Sequence, residues 1–517
     1  MRILLVNKYF YRKGGAETYF FALAEGLRAL GHEVAFFSMK HSNNEPSYWS
    51  KYFVSEKDYV GDISAFKKVQ EASTLIYSFE AKRKFEALLE EFKPDVIHMN
   101  NVHRQLTLSI LDAPYLKRHH VPVVYTAHDY ILLCPAYTMV NGRGEVCDAC
   151  LDRHFMHATK NVCVKGSRAK SALATMEAEF LKFHHSYGMI DLIIAPSKFM
   201  KSKLDEGGFA DKTIAMQNFL TDSQMTMGAH VANTHKFEDA QAGARPYFLF
   251  FGRLSKEKGI LTLVKAFLRA AGLADGNAGG ADDTRDAGNA GMLPDTWDLH
   301  IVGDGPERES IERLITSAGS QAASHIHLLG YKSGEDLQRE VGNARFTVLS
   351  SEWRENMPYS GLESLAAQTP IIGARIGGIP ELVEEAKTGF TFESGNAADL
   401  SNSMLNCSAG GWCRFVGLVI DSITTNHATR PSLRRRSMML MPNSVLIRLS
   451  RYQTMYSSSM LMNPSMVTPA KLRLWKNSCL RRPKNPSAAA LSGLHPFALI
   501  ERVRSCSLQM RIHSGHL

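Results

Sequence analysis

No stretch of this chain reaches the roughly 18 uninterrupted apolar residues that a membrane-spanning helix needs. The N-terminus, MRILLVNKYFYRKGG, has one basic residue and a short apolar run before charge returns at Lys8. It lacks the longer apolar core and small-residue cleavage site of a secretory signal, and reads as a first strand. The sequence therefore predicts a cytoplasmic protein, with peripheral contact at the inner face of the plasma membrane left open. No Asp-x-Asp pair occurs. Acidic residues are scarce in one region only: residues 407–517 hold 16 Lys and Arg against 2 Asp and Glu, leaving 44 against 49 for residues 1–406. The net charge of +9 thus belongs to the tail. The body is mildly acidic, which excludes a nucleic-acid partner read from overall charge.

What is present is an ordinary globular composition, 44% hydrophobic and 21% charged over 517 residues, too long for a single core. Short β-branched runs at 2–7, 33–38, 94–99, 122–127 and 191–195 alternate with amphipathic stretches such as 16–30 and 79–92. The alternation restarts with runs at 247–252, 298–303, 325–330, 345–350 and 369–373, separated by helical segments such as 260–271 and 307–318. Strands alternating with helices predict parallel sheets covered on both faces, here an α/β chain of two Rossmann-like doubly wound units. We assign 1–220 to the first domain, 221–245 to a linker and 246–406 to the second domain. Residues 272–292 read as a low-complexity surface insertion. From 407 to 517 periodicity disappears. The tail reads either as a reading-frame shift in the coding DNA or as a disordered basic segment for anionic lipid or RNA; the joint loss of acids and pattern favours the shift.

Sheets of this kind bind ligands outside the carboxyl ends of their strands, so the cleft between the two domains is the expected site. KGGAET (13–18) stands at the first strand-to-helix turn, where Gly14 and Gly15 allow close backbone approach and the helix N-terminus faces an anion. Such a glycine pair also serves a tight turn with no ligand. FGRLSKEKG (251–259) follows the first strand of the second unit, and Arg253 and Lys258 there could grip a diphosphate; the plainer reading is a solvated basic loop. In SSEWRENMPYSGLESLAAQ (350–368), Pro358 suits a helix's first turn, so Asn356, Met357 and Tyr359 could offer backbone N–H groups to oxygen ligands. Glu355 then falls in the loop and Glu363 one turn into the helix, although two glutamates eight apart are commonplace.

Taken in order, GGAE, GRLSKEKG, LHIVGDGPE, LLGYKSGEDL, ENMPYSGLESLA and GGIPELVEEAKTGF resemble the family-4, or group 1, glycosyltransferases, retaining enzymes of GT-B fold. The resemblance covers about residues 1–405. It implies a nucleotide-sugar donor and a saccharide or lipid-linked acceptor, as in cell-surface polysaccharide or glycoconjugate synthesis. Gly15 would lie beside the donor phosphates; Arg253 and Lys258, with Gly259 closing their motif, would hold the diphosphate; Leu329, Gly330 and Tyr331 would line the base. Glu355 would contact the transferred sugar, with Asn356, Met357, Pro358 and Tyr359 near it, and Glu363 the ribose. His128, in YTAHD, would meet the sugar from the first domain, although a lone histidine is more often structural. With no Asp-x-Asp pair, catalysis is expected to need no metal ion or other cofactor. A GT-B epimerase or phosphorylase is the rival within enzymes. An inactive nucleotide-sugar binder is the rival outside them, because nothing in 407–517 resembles the family's returning C-terminal helix.

Cys134, Cys147, Cys150 and Cys163 form a C-x12-C-x2-C-x12-C array beside His128, while the other four cysteines lie at 407 and beyond. Four thiols around a Cys-x-x-Cys pair suit tetrahedral zinc, or a less expected iron–sulfur cluster; four reduced, unliganded cysteines are the alternative.

Overall fold

The computed structural model describes residues 1–56, 73–221, 223–225, 245–273 and 292–408. The expected insertion core and nearly all of the tail and linker lie outside them. Among the described residues two six-stranded sheets form, and every pairing within them is parallel. In the first sheet the order is β2-β1-β3-β4-β5-β6, from β1 (Arg2–Val6), β2 (Glu33–Phe37), β3 (Val96–Met99), β4 (Val123–Thr126), β5 (Leu192–Ala195) and β6 (Thr213–Ala215). In the second the order is β12-β11-β10-β7-β8-β9, from β7 (Tyr247–Phe251), β8 (Asp298–Val302), β9 (Ile326–Gly330), β10 (Phe346–Leu349), β11 (Ile371–Ala374) and β12 (Gly389–Phe392).

The ten expected strands all appear, and the α/β class with two doubly wound units holds. Two strands were not foreseen. Thr213–Ala215 is only three residues long, and Gly389–Phe392 has partly exposed residues at an edge, so neither gives the continuous apolar run of a central strand. β1, β4, β5, β7 and β10 read as apolar runs because helices cover both of their faces. Helix Phe79–Phe92 buries Ala81, Phe85, Leu88, Leu89 and Phe92, the i, i+4, i+7, i+8 stripe that its sequence displays. Helix Ala397–Ser408 extends past the point where the sequence texture changes, and Cys407 is buried in the second core.

Each sheet reverses its strand order once. In the first, the chain moves from β1 to β2 on one side and returns to β3 on the other; in the second, β10 lies beside β7 opposite β8. These reversals open crevices at the carboxyl ends of β1/β3 and β7/β10, where diverging crossover helices leave room for a ligand.

The turn after β7 requires glycine for packing. Gly303 follows β8 with φ +136°, and a Cβ there would lie 1.8 Å from the Gly252 carbonyl oxygen. We expect Gly303→Ala to lower stability by about 2–4 kcal/mol through backbone strain and overlap, read as a drop in the urea unfolding midpoint. An unchanged midpoint would contradict this packing.

Candidate functional site

After β10 the chain enters the loop that holds Glu355, then the helix Tyr359–Ala366. Pro358 is the residue before this helix and not in its first turn: its φ of −68° and ψ of +130° are extended. No side chain caps that helix or the helix Gly15–Ala29, so both keep N-terminal N–H groups for a ligand. The two termini meet, since a Cβ on Gly15 would stand 3.4 Å from Tyr359 Cδ2.

Glu355 is 7% exposed and forms an ion pair with Lys258 from the loop after β7. Ser351 Oγ donates to the same carboxylate oxygen at 2.9 Å. Burial alone would raise the Glu355 pKa, but Lys258 and these hydrogen bonds outweigh it and hold the carboxyl below its usual range. Gly259 makes the pairing possible. It adopts φ +63° against the end of β10, where a Cβ would fall 1.9 Å from the Ser350 carbonyl oxygen, and Ser350 Oγ donates to the Lys258 carbonyl at 2.9 Å. Lys258 is thus engaged by Glu355. Arg253, on the same loop, is exposed and has no side-chain partner among the described residues.

Glu363 is half-buried in its helix, and no hydrogen bond or ion pair reaches its carboxylate among the described residues. Burial pushes its pKa up to about 7. The Tyr359 hydroxyl is buried without a partner among those residues. Leu329 and Gly330 end β9, two strands from β7, and Tyr331 beyond them is 79% exposed. They share the carboxyl edge with Arg253 but stand toward its far end.

His128 follows β4 and is half-buried. Its Nε2 lies 2.8 Å from Asn100 Oδ1, and Asn100 Nδ2 donates to the Val6 carbonyl. That orientation makes Nε2–H the donor. Burial drives the imidazole pKa down to about 3, so the ring is neutral and Nδ1 remains an acceptor.

Contacts across the cleft were not legible in the sequence. Asn356 Nδ2 donates to the Ala127 carbonyl at 2.7 Å, next to His128, and Ser197 Oγ donates to Asn356 Oδ1 at 3.1 Å. Asn218 Nδ2 donates to the Met357 carbonyl at 2.9 Å. Glu381, from GGIPE, accepts the backbone N–H groups of Lys198 and Phe199 at 2.9 and 2.8 Å. Arg354 makes a two-toothed pair with Asp148, one bond being 2.7 Å. Arg354, Asn356, Met357, Glu381 and Ala127 lie in motifs of the sequence, whereas their partners Asp148, Ser197, Lys198, Phe199 and Asn218 lie outside them, on segments with no repeating signal.

The four predicted cysteines converge. All are reduced, and they line one cavity of about 10 Å³. Burial pushes the Cys134 thiol up to about 11 and that of Cys150 to about 12, with neighbouring thiols adding to the rise.

Residues 232–408 match the family model described as Glycosyl transferases group 1, and residues 13–219 match Glycosyltransferase Family 4. The chain belongs to the group 1 glycosyltransferases. Among its relatives, an uncharacterized 42.6 kDa protein in the cps region of Klebsiella pneumoniae is 25% identical over 404 residues, covering 74% of this chain and 87% of that protein. Sucrose-phosphate synthase from Thermosynechococcus elongatus has a similar structure at TM-score 0.55 and 17% identity, over 89% of this chain and 100% of that one. The Anabaena protein HepE, in complex with UDP and glucose, aligns at TM-score 0.52 and 16% identity, over 88% and 100%. These neighbours share the two-domain GT-B fold with this glycosyltransferase.

Replacing Lys258 with Met would leave a buried, unpaired carboxylate in the glycosyltransferase. The cost at pH 7 is expected to be about 2–4 kcal/mol by urea unfolding. Because the Glu355 pKa is depressed by folding, the pair stabilises above the usual carboxylate range and is lost as pH falls through the lower folded value. The gap between variant and wild type should therefore narrow in acid; a gap independent of pH would refute the pairing.

Proposed function

We propose that this glycosyltransferase transfers a sugar from a nucleoside diphosphate-sugar donor to a saccharide or lipid-linked acceptor, with retention at the anomeric carbon. The observation that carries this function is the Lys258–Glu355 pair beside Arg253, which has no side-chain partner among the described residues, set in the β7/β10 crevice. The HepE neighbour, described with UDP and glucose, supports a donor of this class. The relative from a cps region supports an acceptor on the path to a surface polysaccharide.

In this reading the donor's diphosphate draws Lys258 toward itself together with Arg253, each charge-assisted bond contributing about 1.5–3 kcal/mol. Glu355, released from its partner, accepts hydrogen bonds from sugar hydroxyls. His128 Nδ1 accepts another from the first domain. The acceptor oxygen bonds to the anomeric carbon on the face from which the diphosphate leaves, and its proton passes to the leaving phosphate. Positive charge at Arg253, Lys258 and the two uncapped helix termini stabilises that leaving group, so the chain's own cations do the work with no metal ion or other cofactor in the reading. Arg253→Ala and Glu355→Gln should each lower kcat/KM about 10²–10³-fold in a donor-hydrolysis or transfer assay. Full activity in both would refute the site.

Glu363 supplies a pH test for the ribose contact. Its raised pKa means that the acid form prevails below about 7 in the empty cleft. Two ribose hydroxyls donating to the carboxylate favour its ionised form, so UDP binding releases a proton near neutrality. UDP affinity, measured by calorimetry, should weaken up to about tenfold per pH unit below that point and become flat in Glu363→Gln. Equal slopes in both proteins would exclude Glu363 from the contact.

A further inference from the structure

The segment between β4 and the helix Arg168–Phe183 has little regular structure to hold it, apart from the short helix Met156–Lys160. Its first part, from Tyr130 to Met139, joins the core of the first domain, whereas beyond it the buried apolar cluster is Cys150, Phe155 and Ala158 against Ala178 of the helix Arg168–Phe183, with Cys163 packed on it. Five of its non-glycine residues, Tyr137, Met139, Arg153, Val162 and Lys165, have φ between +49° and +63°. Val162 is β-branched, a side chain that disfavours this region strongly, and it immediately precedes Cys163. Strained backbone of this kind persists only where something else fixes it.

The hydrogen bonds lead toward the thiols. Cys147 N–H donates to the Met139 carbonyl at 2.8 Å and extends the bridge between Val140 and Val146. Gly142 N–H donates to the Asn161 carbonyl at 3.0 Å, and a Cβ on Gly142 would strike that oxygen at 2.2 Å. The hairpin is thereby pressed against the strand of chain that carries Cys163. The cavity that results has a volume of about 10 Å³, room for about one water-sized sphere. Its walls are the four thiols, His157 and apolar side chains such as Leu133 and Val140. A single ion fits; an iron–sulfur cluster does not.

We propose that Cys134, Cys147, Cys150 and Cys163 bind one structural zinc ion, and that the ion fixes Asp148 so that its carboxylate holds Arg354 across the cleft. Asp148 lies inside the Cys-x-x-Cys loop, and Arg354 immediately precedes Glu355. The metal would thus set the position of the loop after β10 from the opposite domain. On binding, the four thiols lose their protons to solvent, four Zn–S bonds form, and no electron is exchanged. The sulfurs ring the cavity more widely than a bound ion requires. Among the described residues, the metal-ligand atoms that come within 4.8 Å of one another in a group of three belong to Asp298, His300 and His327. Zinc would draw the thiolates in to about 2.3 Å. The Asp298 group is a poorer candidate, because that carboxylate already faces Arg245 at 3.4 Å and His325 at 3.1 Å.

The full chain, purified without chelator from zinc-supplemented culture, should contain close to one zinc per chain, and Cys147→Ser/Cys150→Ser under about a tenth. Wild type reconstituted with Co²⁺ alone should show the intense visible absorption of a tetrahedral thiolate site, which decides the matter even where the serine variant fails to fold. Hydrogen exchange after zinc removal should speed up both in 134–163 and around Arg354, and Asp148→Asn should speed up only the latter while keeping its zinc. Less than about a tenth of an equivalent in wild type, equal zinc in the serine variant, or a disulfide among the four cysteines would overturn the site. Unchanged exchange around Arg354 on zinc loss would overturn the coupling. None of these readouts depends on sugar transfer.

Discussion

The candidate site depends on one close approach of backbone to backbone. Gly377 and Gly378 follow β11 and lie against the loop after β10, where a Cβ would fall 2.1 Å from the Glu355 carbonyl oxygen and 1.7 Å from that of Asn356. Gly378 N–H donates to the Glu355 carbonyl at 2.7 Å. Only glycine leaves room for this contact, and Gly377 also has φ +60°, a conformation that glycine adopts without a Cβ penalty. The loop so fixed points Glu355 inward to Lys258 and Asn356 outward to the first domain.

From that loop the two halves of the molecule become one site. Asn356 reaches the end of β4 beside His128, Met357 accepts from Asn218, and Arg354 reaches Asp148. Glu381, three residues beyond Gly378, caps the helix Lys198–Leu204 by accepting its first free N–H groups. A carboxylate at a helix N-terminus meets both unpaired donors and the positive end of the dipole. The two domains keep separate apolar cores, and the bonds named here bridge them with directional polar contacts.

Electrostatics divides the site into a paired and an unpaired part. Glu355 stays ionised because Lys258 lies beside it, whereas Glu363, half-buried and without a cation among the described residues, has its pKa raised by burial to about 7. Two carboxylates eight residues apart therefore have opposite shifts. Their difference comes from neighbours on another loop, which no spacing along the sequence reveals. His128 is likewise neutral through burial, and Asn100 selects its tautomer.

The sequence by itself determined the alternation of strands and helices, the two doubly wound units, the family and the residues of its motifs. Those properties are local: apolar runs mark strands buried on both faces, a 3.6-residue stripe marks helices, and glycines mark turns that admit no side chain. Only the tertiary structure decided that Lys258 is held by Glu355, that Pro358 precedes its helix, and that Asp148, Asn218 and Glu381 join the domains. It also placed four cysteines, spread over thirty residues of irregular chain, around one small cavity. These are contacts between loops distant in sequence, and their geometry follows from how two sheets face each other, which leaves no periodic trace in either loop.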